Sequence, residues 1–203
     1  MMKKTLAIVA FVAALFVAGN VQAQSTVYAA YAPETFVTGS NSSNYQGFAL
    51  GFTQNIALAK GIGVAAGGQF RMNTKSESTT VLGVTGTVRE TQILIDVPIL
   101  FNYQIAVNRD LAIIPFVGPM PSLALSGKTK ASETLLGTTT TTDWYGDNSN
   151  VSRFNLYAVF GADVKFTNFN LFGGYRLGLL DLNKSDNIIT KANGMFVGLG
   201  FTL

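Results

Sequence analysis

The chain has 203 residues, of which 48% are hydrophobic and 12% are charged, about half the charged fraction usual in a soluble globular domain. It contains neither histidine nor cysteine, and its formal net charge is +3. The composition shows no basic stripe of the kind that binds nucleic acid. The absence of cysteine excludes disulfide frameworks and thiolate metal sites. We predict no cofactor.

The first predicted element is an export signal over residues 1–23. Lys3 and Lys4 form a positive n-region, residues 6–18 an apolar core, and Val21-Gln22-Ala23 a small-residue cleavage site, which together are typical of a signal peptide. A retained transmembrane helix needs about 20 apolar residues, and this core is shorter. Cleavage leaves 12 basic and 11 acidic residues. We predict that residues 24–203 form one domain.

Eight alternating segments follow, separated by breaks that are short and long in turn. The breaks at 59–61, 107–110 and 167–168 are short, whereas those at 38–44, 73–90, 126–152 and 181–193 are long and rich in Ser, Thr, Asn and Gly. Short turns on one side and long loops on the other are typical of an up-and-down outer-membrane barrel. The predicted strands are residues 26–37, 45–58, 62–72, 91–106, 111–125, 153–166, 169–180 and 194–203.

The fold class that this pattern predicts is all-β: an eight-stranded antiparallel transmembrane β-barrel with short periplasmic turns, long extracellular loops and both chain ends in the periplasm. One face of strands four, six, seven and eight carries no charge. If Phe166 faces Phe169 across its two-residue turn, Lys165 faces Asn170, and every pair so generated shares a face, as an antiparallel ladder requires. A soluble lipocalin-like barrel is the alternative, but the polar face has too few charges for a surface in water.

Three motifs carry a family resemblance over the whole mature chain. They are Asp96-Val-Pro-Ile-Leu-Phe-Asn-Tyr103, Ile114-Pro-Phe-Val-Gly-Pro119 and the C-terminal Gly198-Leu-Gly-Phe-Thr-Leu203. They resemble the small outer-membrane β-barrel domain family of Gram-negative bacteria (porin-like, PorT-like/OmpX-like). The resemblance implies outer-membrane lipid as surroundings and the barrel assembly machinery as a partner, with Phe201 and Leu203 in the assembly signal. That family often ends in an aromatic residue, whereas this chain ends in Leu203.

Prolines interrupt the predicted fourth and fifth strands. Because proline cannot donate to a ladder, we expect bulges at Pro98 and Pro115, and a bend or membrane exit at Pro119 and Pro121.

Five charged side chains fall on the predicted lumen face: Arg71, Asp96, Asp163, Lys165 and Arg176. Arg71 and Asp96 lie on neighbouring strands at similar heights, so we expect them to pair. One interpretation is a charge-lined permeation path. The other is a sealed interior with mutually neutralising charges, because unpaired buried charge is costly and side chains can fill a barrel of eight strands.

The long break before the sixth strand holds five threonines, residues 138–142, followed by Trp144 and Tyr145. Threonine favours extended structure, so strands five and six could continue beyond the membrane as a ribbon that adds a strand to a protein partner, with Trp144 and Tyr145 as contacts. A mobile surface loop is the alternative.

Outer-membrane barrels that act as lipid acylases, deacylases or proteases resemble one another in using a histidine as the general base. This chain has no histidine, so we predict that it is not an enzyme. Three functions stay open: a structural or surface-interaction barrel, a narrow channel for ions or small solutes, and an accessory component of a secretion or assembly complex. The sequence does not predict the oligomeric state.

Overall fold

The computed structural model describes residues 23–81, 84–133, 138–146, 149–184 and 188–203. The predicted signal peptide therefore lies outside the described residues, except for the backbone of Ala23. Within the described ranges, no helix is long and apolar enough to cross a membrane.

The described residues form one antiparallel sheet that closes on itself. The sheet closes because the last strand pairs with the first, from Thr26 opposite Thr202 to Tyr31 opposite Val197. Closure leaves the ring without edges and pairs its backbone donors internally. The strands are β1 (Ala23–Tyr31), β2 (Glu34–Thr38), β3 (Asn41–Ala59), β4 (Ile62–Val81), β5 (Val84–Asp96), β6 (Ile99–Tyr103), β7 (Ile105–Ala106), β8 (Leu111–Glu133), β9 (Thr139–Asp143), β10 (Phe154–Phe166), β11 (Phe169–Gly178) and β12 (Thr190–Thr202).

These segments make a ring of eight strands, as the sequence predicts. β1 and β2 form the first pass, interrupted at Ala32 and Pro33, and β5, β6 and β7 form the fourth. β9 folds back onto β8 and is not part of the ring.

The predicted register between β10 and β11 is confirmed. Phe166 lies opposite Phe169, and Lys165 lies opposite Asn170. The predicted faces are also as expected: Met195 and Leu199 on β12 are exposed outward, whereas Thr202 on the same strand is buried. Apolar side chains therefore cover the outside of the barrel, whereas the interior holds the buried charged residues together with an apolar cluster that includes Met120 and Val159.

One end of the ring, here called the turn end, carries the three short predicted turns. They join β3 to β4, β7 to β8 and β10 to β11. Two of them use positive φ, at Gly61 (78°) and at Thr167 (54°), which tight turns between antiparallel strands often require.

At the opposite end, three of the predicted long loops are wrong, because much of their length is strand. β2 and β3 are separated only by Gly39 and Ser40. β4 ends at Val81 and β5 begins at Val84, and β8 continues to Glu133. Beyond the apolar band both faces of a strand meet water, so alternation stops while the β-propensity of Thr and Val persists. The sequence pattern therefore underestimated these strands.

Parts of β4, β5, β8 and β9 make a sheet that extends past the ring, here called the protruding sheet (residues 75–81, 84–90, 128–133 and 139–143). Val88 pairs with Glu77 on one side and with Ala131 on the other, and Ala131 pairs in turn with Thr140. β8 continues as predicted, but its partners there are β5 and β9. The expected ribbon of the fifth and sixth strands is wrong.

The expected proline bulges are also wrong. β8 pairs with β10 in one unbroken register from Leu111 to Leu123, across Pro115, Pro119 and Pro121. Pro98 interrupts the strand assignment, yet the pairing with β4 keeps the same register on either side of it. The register shift falls between Ile93 and Leu94. Each proline costs the ladder one donor without displacing the strand, since flanking pairs on both sides hold the register.

Candidate functional site

The barrel interior is built around Arg71 on β4. Its Nε donates to Asp96 Oδ2 at 2.8 Å and its Nη2 to Oδ1 at 3.2 Å, a bidentate pair across neighbouring strands. Its Nη1 donates to Glu34 Oε2 at 2.8 Å. All three side chains are fully shielded from solvent. The pairing of Arg71 with Asp96 is thus present in the structure, with a second carboxylate added.

Neutral donors complete this ion triad. Buried ion pairs recover their desolvation cost only when the remaining lone pairs are also satisfied, and here every carboxylate oxygen accepts at least one hydrogen bond. The donors are Gln69 Nε2 to Asp96 Oδ2 (2.6 Å), Ser122 Oγ to Asp96 Oδ1 (2.5 Å), Asn73 Nδ2 to Glu34 Oε2 (2.5 Å) and Tyr157 OH to Glu34 Oε1 (2.7 Å). We call these seven residues the plug.

Glu34 is the plug residue that sequence reasoning missed. It belongs to the predicted first strand, on the same alternation as Tyr28, Ala30 and Ala32. It is the only acidic residue of residues 26–37. Its place in the alternation was therefore enough to predict an acidic side chain inside the barrel. The preceding Pro33 directs attention to a strand break rather than to a continuing face.

Arg176 on β11 is buried close to the plug but makes no ion pair among the described residues. Its Nη2 donates to the backbone carbonyls of Ala32 (3.0 Å) and Pro33 (3.4 Å), and its guanidinium lies 5.9 Å from the centre of the Phe196 ring. Its Nε has no hydrogen-bond partner in the part of the chain that the structure describes.

Asp163 and Lys165 lie near the turn end, away from the plug. Lys165 Nζ donates to Gln24 Oε1 at 2.6 Å, and Asp163 Oδ2 accepts from Asn170 Nδ2 at 2.7 Å. The five charged residues predicted for the lumen therefore lie in three places: Arg71 and Asp96 in the triad, Arg176 beside it, and Asp163 and Lys165 near the turn end. Strand alternation predicts that these residues share the inner face of the barrel, but it does not predict how far apart they lie along the barrel axis.

Two cavities flank the plug. The cavity on the turn-end side has a volume of about 140 Å³ and extends from Arg176 to Gln24 and Lys165. The cavity at the other end has a volume of about 410 Å³ and is lined in part by Tyr45 and Trp144. Arg71 and Asp96, at the centre of the plug, line neither cavity.

Trp144 and Tyr145, predicted as exposed contacts, instead fold over the barrel mouth, which corrects that prediction. Tyr145 is only 8% exposed, and its hydroxyl accepts from Gln92 Nε2 at 2.7 Å. Trp144 Nε1 donates to Thr129 Oγ1 at 2.6 Å, and its ring packs edge-on against Tyr45. Aromatic side chains with one polar atom are stabilised at the barrel mouth, because their rings pack against other side chains while the polar atom keeps a hydrogen bond.

The outer surface is an apolar band that includes Phe166, Phe169, Leu171 and Leu199, each more than half exposed. Phe201 and Leu203, the predicted assembly-signal residues, also point outward. A continuous exposed apolar surface of this kind requires lipid around it. The described residues contain no group of three or more His, Cys, Asp or Glu side chains that could hold a metal ion.

A closed antiparallel ring with an apolar outside, a polar inside and short turns at one end defines a small integral outer-membrane barrel. The chain belongs to the outer membrane protein beta-barrel domain family, whose model matches residues 12–184. The protein is therefore an outer-membrane protein, its turn end is periplasmic, and its protruding sheet is extracellular.

Several solved outer-membrane barrels are similar to this chain in fold. Ail, the attachment invasion locus protein of Yersinia pestis, solved with the heparin analogue sucrose octasulfate, shares 18% identity over 89% of this chain and 99% of its own, with a TM-score of 0.46. Neisserial surface protein A shares 11% identity over 88% and 97%, with a TM-score of 0.46. The outer membrane enzyme PagL shares 15% identity over 85% and 97%, with a TM-score of 0.38. A search of curated proteins found no significant match.

Proposed function

We propose that this protein is a non-enzymatic outer-membrane barrel with a largely filled lumen, which acts through its extracellular surface. The observation that carries the proposal is the plug. Arg71 and Asp96 have no exposure to solvent, and their hydrogen-bonding atoms are occupied by one another and by neighbouring strands. An ion that passed the plug would have to break several charge-assisted bonds at once.

The absence of an enzymatic role is supported by the residue inventory. The chain has no histidine, so a general base with a pKa near neutral would have to come from a strongly perturbed carboxylate or lysine. The buried carboxylates Glu34 and Asp96 are both paired with Arg71 and fully shielded from solvent, so a substrate cannot reach them.

A surface role is supported by the protruding sheet. All five residues of β9 are exposed, and β9 pairs with β8 only, among the described strands. A strand with one free edge offers unpaired N–H and C=O groups to an extended segment of another protein. The partner we propose is accordingly a protein that adds a strand along residues 139–143.

Site-specific photo-crosslinking in the native host tests this role. A photoreactive residue at Thr140, on β9, should give protein adducts of discrete mass, because it lies on the proposed edge. The matched control carries the same group at Leu171, which is exposed on the apolar band and should label lipid. If all positions from Thr139 to Thr142 give no protein adduct in intact cells, the proposed surface role is wrong.

We further propose that residues 1–23 are cleaved on export and that Phe201 and Leu203 belong to the signal that the barrel assembly machinery reads. Phe201, on β12, and Leu203, directly after it, are both exposed, where a partner can reach them before lipid does. Replacing both with Ser should slow the appearance of the folded, heat-modifiable form in cells. A normal folding yield would contradict this role.

A further inference from the structure

We propose that the periplasmic cavity of the barrel is a binding site for a small organic carboxylate with a compact apolar body, and that Arg176 holds the carboxylate. This goes beyond the surface role and does not depend on it. The two use opposite ends of the barrel, so either can fail alone.

The cavity has the form of a pocket with one closed end. Its volume is about 140 Å³, and its lining reaches from Arg176 at the plug side to Gln24 and Lys165 near the periplasmic turns. Gln24 is exposed, so the pocket opens toward the periplasm. A water occupies about 30 Å³, so the space exceeds what a single bridging water fills.

Arg176 supplies the anion-binding group at the closed end. It is 2% exposed, and its nearest carboxylates are already saturated by the plug: Asp96 accepts from Arg71, Gln69 and Ser122, and Glu34 from Arg71, Asn73 and Tyr157. Among the described residues, Arg176 therefore donates only to two carbonyls, and its Nε has no partner there. A buried donor left unpaired is costly and requires an explanation, such as a bound ion or ligand.

Apolar side chains between the two ends define the rest of the ligand. Leu100, Met120, Val159, Phe172 and Phe196 line the cavity wall. A cavity of about 150 Å³ lined by such side chains can hold benzene. An inorganic anion would pair with Arg176 but would leave these apolar side chains in contact with water. An aromatic or short branched carboxylate would pair with Arg176 and also cover the apolar side chains.

Charges along the wall also favour a monoanion. Lys165, near the mouth, is the second cation of the lining, and Asp163 is its only acid. Asp163 Oδ2 accepts from Asn170 Nδ2 at 2.7 Å, and its Oδ1 has no hydrogen-bond partner among the described residues. The lining thus carries one net positive charge, which favours one carboxylate over a dianion, beside a triad with one net negative charge.

The experiment is titration of the refolded barrel in detergent with benzoate, followed by calorimetry and by the NMR resonance of the Arg176 Nε–H. Benzyl alcohol, of the same shape without charge, and inorganic phosphate are titrated in parallel. Benzoate should bind saturably and shift the Nε–H resonance. Arg176→Gln should weaken binding by about tenfold or more, as expected for loss of a charge-assisted hydrogen bond.

A second pair of variants leaves every charge in place. Ala65 lines the cavity, so Ala65→Leu should abolish benzoate binding by filling it, whereas Ala66→Leu on the outer face should bind as the wild type does. Equal binding of benzoate and benzyl alcohol would overturn the role of Arg176. Binding of phosphate as tight as that of benzoate would overturn the ligand class. No saturable binding of benzoate at millimolar concentration would overturn the site.

Discussion

Arg71 holds a full charge at a point in the barrel that no solvent reaches. Glu34 and Asp96 pair with it from two different strands and give the triad one net negative charge, so the triad also ties β2, β4 and β5 together across the lumen. Removing one member of such a cluster leaves the others buried and uncompensated, which costs more than the pair contributes.

We therefore predict that Arg71→Met destabilises the barrel by about 3–5 kcal/mol. The reason is that it leaves two adjacent buried carboxylates without a cation. Urea unfolding from phospholipid vesicles measures the change. Adding Glu34→Gln and Asp96→Asn to Arg71→Met should recover part of the loss, because the remaining groups are then neutral.

Lys75 provides the matched control for that experiment. It forms an ion pair with Glu77 at 2.9 Å at a more exposed site, where such pairs contribute about 0–1 kcal/mol. Lys75→Met should therefore change the free energy of unfolding little. A loss as large as that of Arg71→Met would show that burial is not what makes the triad important.

Asp181, in the connection between β11 and β12, shows the opposite case of an exposed carboxylate. Backbone N–H groups of Thr190 and Asn183 donate to its Oδ1 at 2.8 and 2.9 Å. These bonds hold the pKa of Asp181 below its ordinary value. Because the pKa is lowered in the folded state, the stabilisation is complete above the ordinary aspartate pKa and is lost as the pH falls through the lowered one.

NMR titration of the Asp181 carboxyl carbon should accordingly give a midpoint below that of an unstructured aspartate. Asp181→Ala should raise amide exchange at Thr190, whereas Asp181→Asn, whose oxygen can still accept both bonds, should preserve protection. An ordinary midpoint, or equal exchange in both variants, would contradict this assignment.

At this scale the sequence predicted that Arg71 and Asp96 share a face and a height, because strand alternation and turn positions determine both. It could not predict that Arg176 makes no ion pair, since that depends on which carboxylates other side chains have already satisfied. Tyr145 shows the same limit, because its burial depends on the pairing of β9 back along β8, which returns the chain to the barrel mouth.

Among the elements, β3 and β4 form a long hairpin whose register relies on a glycine. A Cβ at Gly67 would lie 1.9 Å from the backbone oxygen of Phe52, so no side-chain rotation relieves the clash. At the adjacent Gly68 the nearest atom would be a side-chain carbon of Phe52 at 3.7 Å, an ordinary contact. The strands approach closely on the inner face alone.

We predict that Gly67→Ala destabilises the barrel by about 2 kcal/mol or more, as forced overpacking does. Gly68→Ala should stay within about 0.5 kcal/mol of the wild type. Urea unfolding of both variants provides the comparison. Equal stabilities would show that β3 and β4 can separate at this point without cost.

The ring strands and their extensions show which parts of the strands can be predicted from the sequence and which cannot. Within the apolar band, lipid outside and polar contacts inside impose strict alternation, so faces and the Phe166–Phe169 register were predictable. Above the band both faces are wet, alternation carries no information, and Ser/Thr-rich strands look like loops. The protruding sheet is thus the part of the fold that could not be predicted from the sequence pattern.

The whole molecule places its apolar residues outside and its charges inside, because lipid rather than water surrounds the ring. An eight-stranded ring is just wide enough for side chains to fill. In this barrel, three charged and four neutral plug residues lie between the two cavities. We propose that this plug closes the lumen between them.

Planar-bilayer conductance of the refolded mature protein tests whether the plug closes the lumen, with Arg71→Ala measured alongside and heat-modifiable gel mobility showing that each barrel has folded. We expect a silent bilayer for the folded wild type, because the fully buried Arg71–Asp96 pair would block the path. Steady single-channel steps from the wild type, changed in size by Arg71→Ala, would contradict it and establish a charge-lined pore.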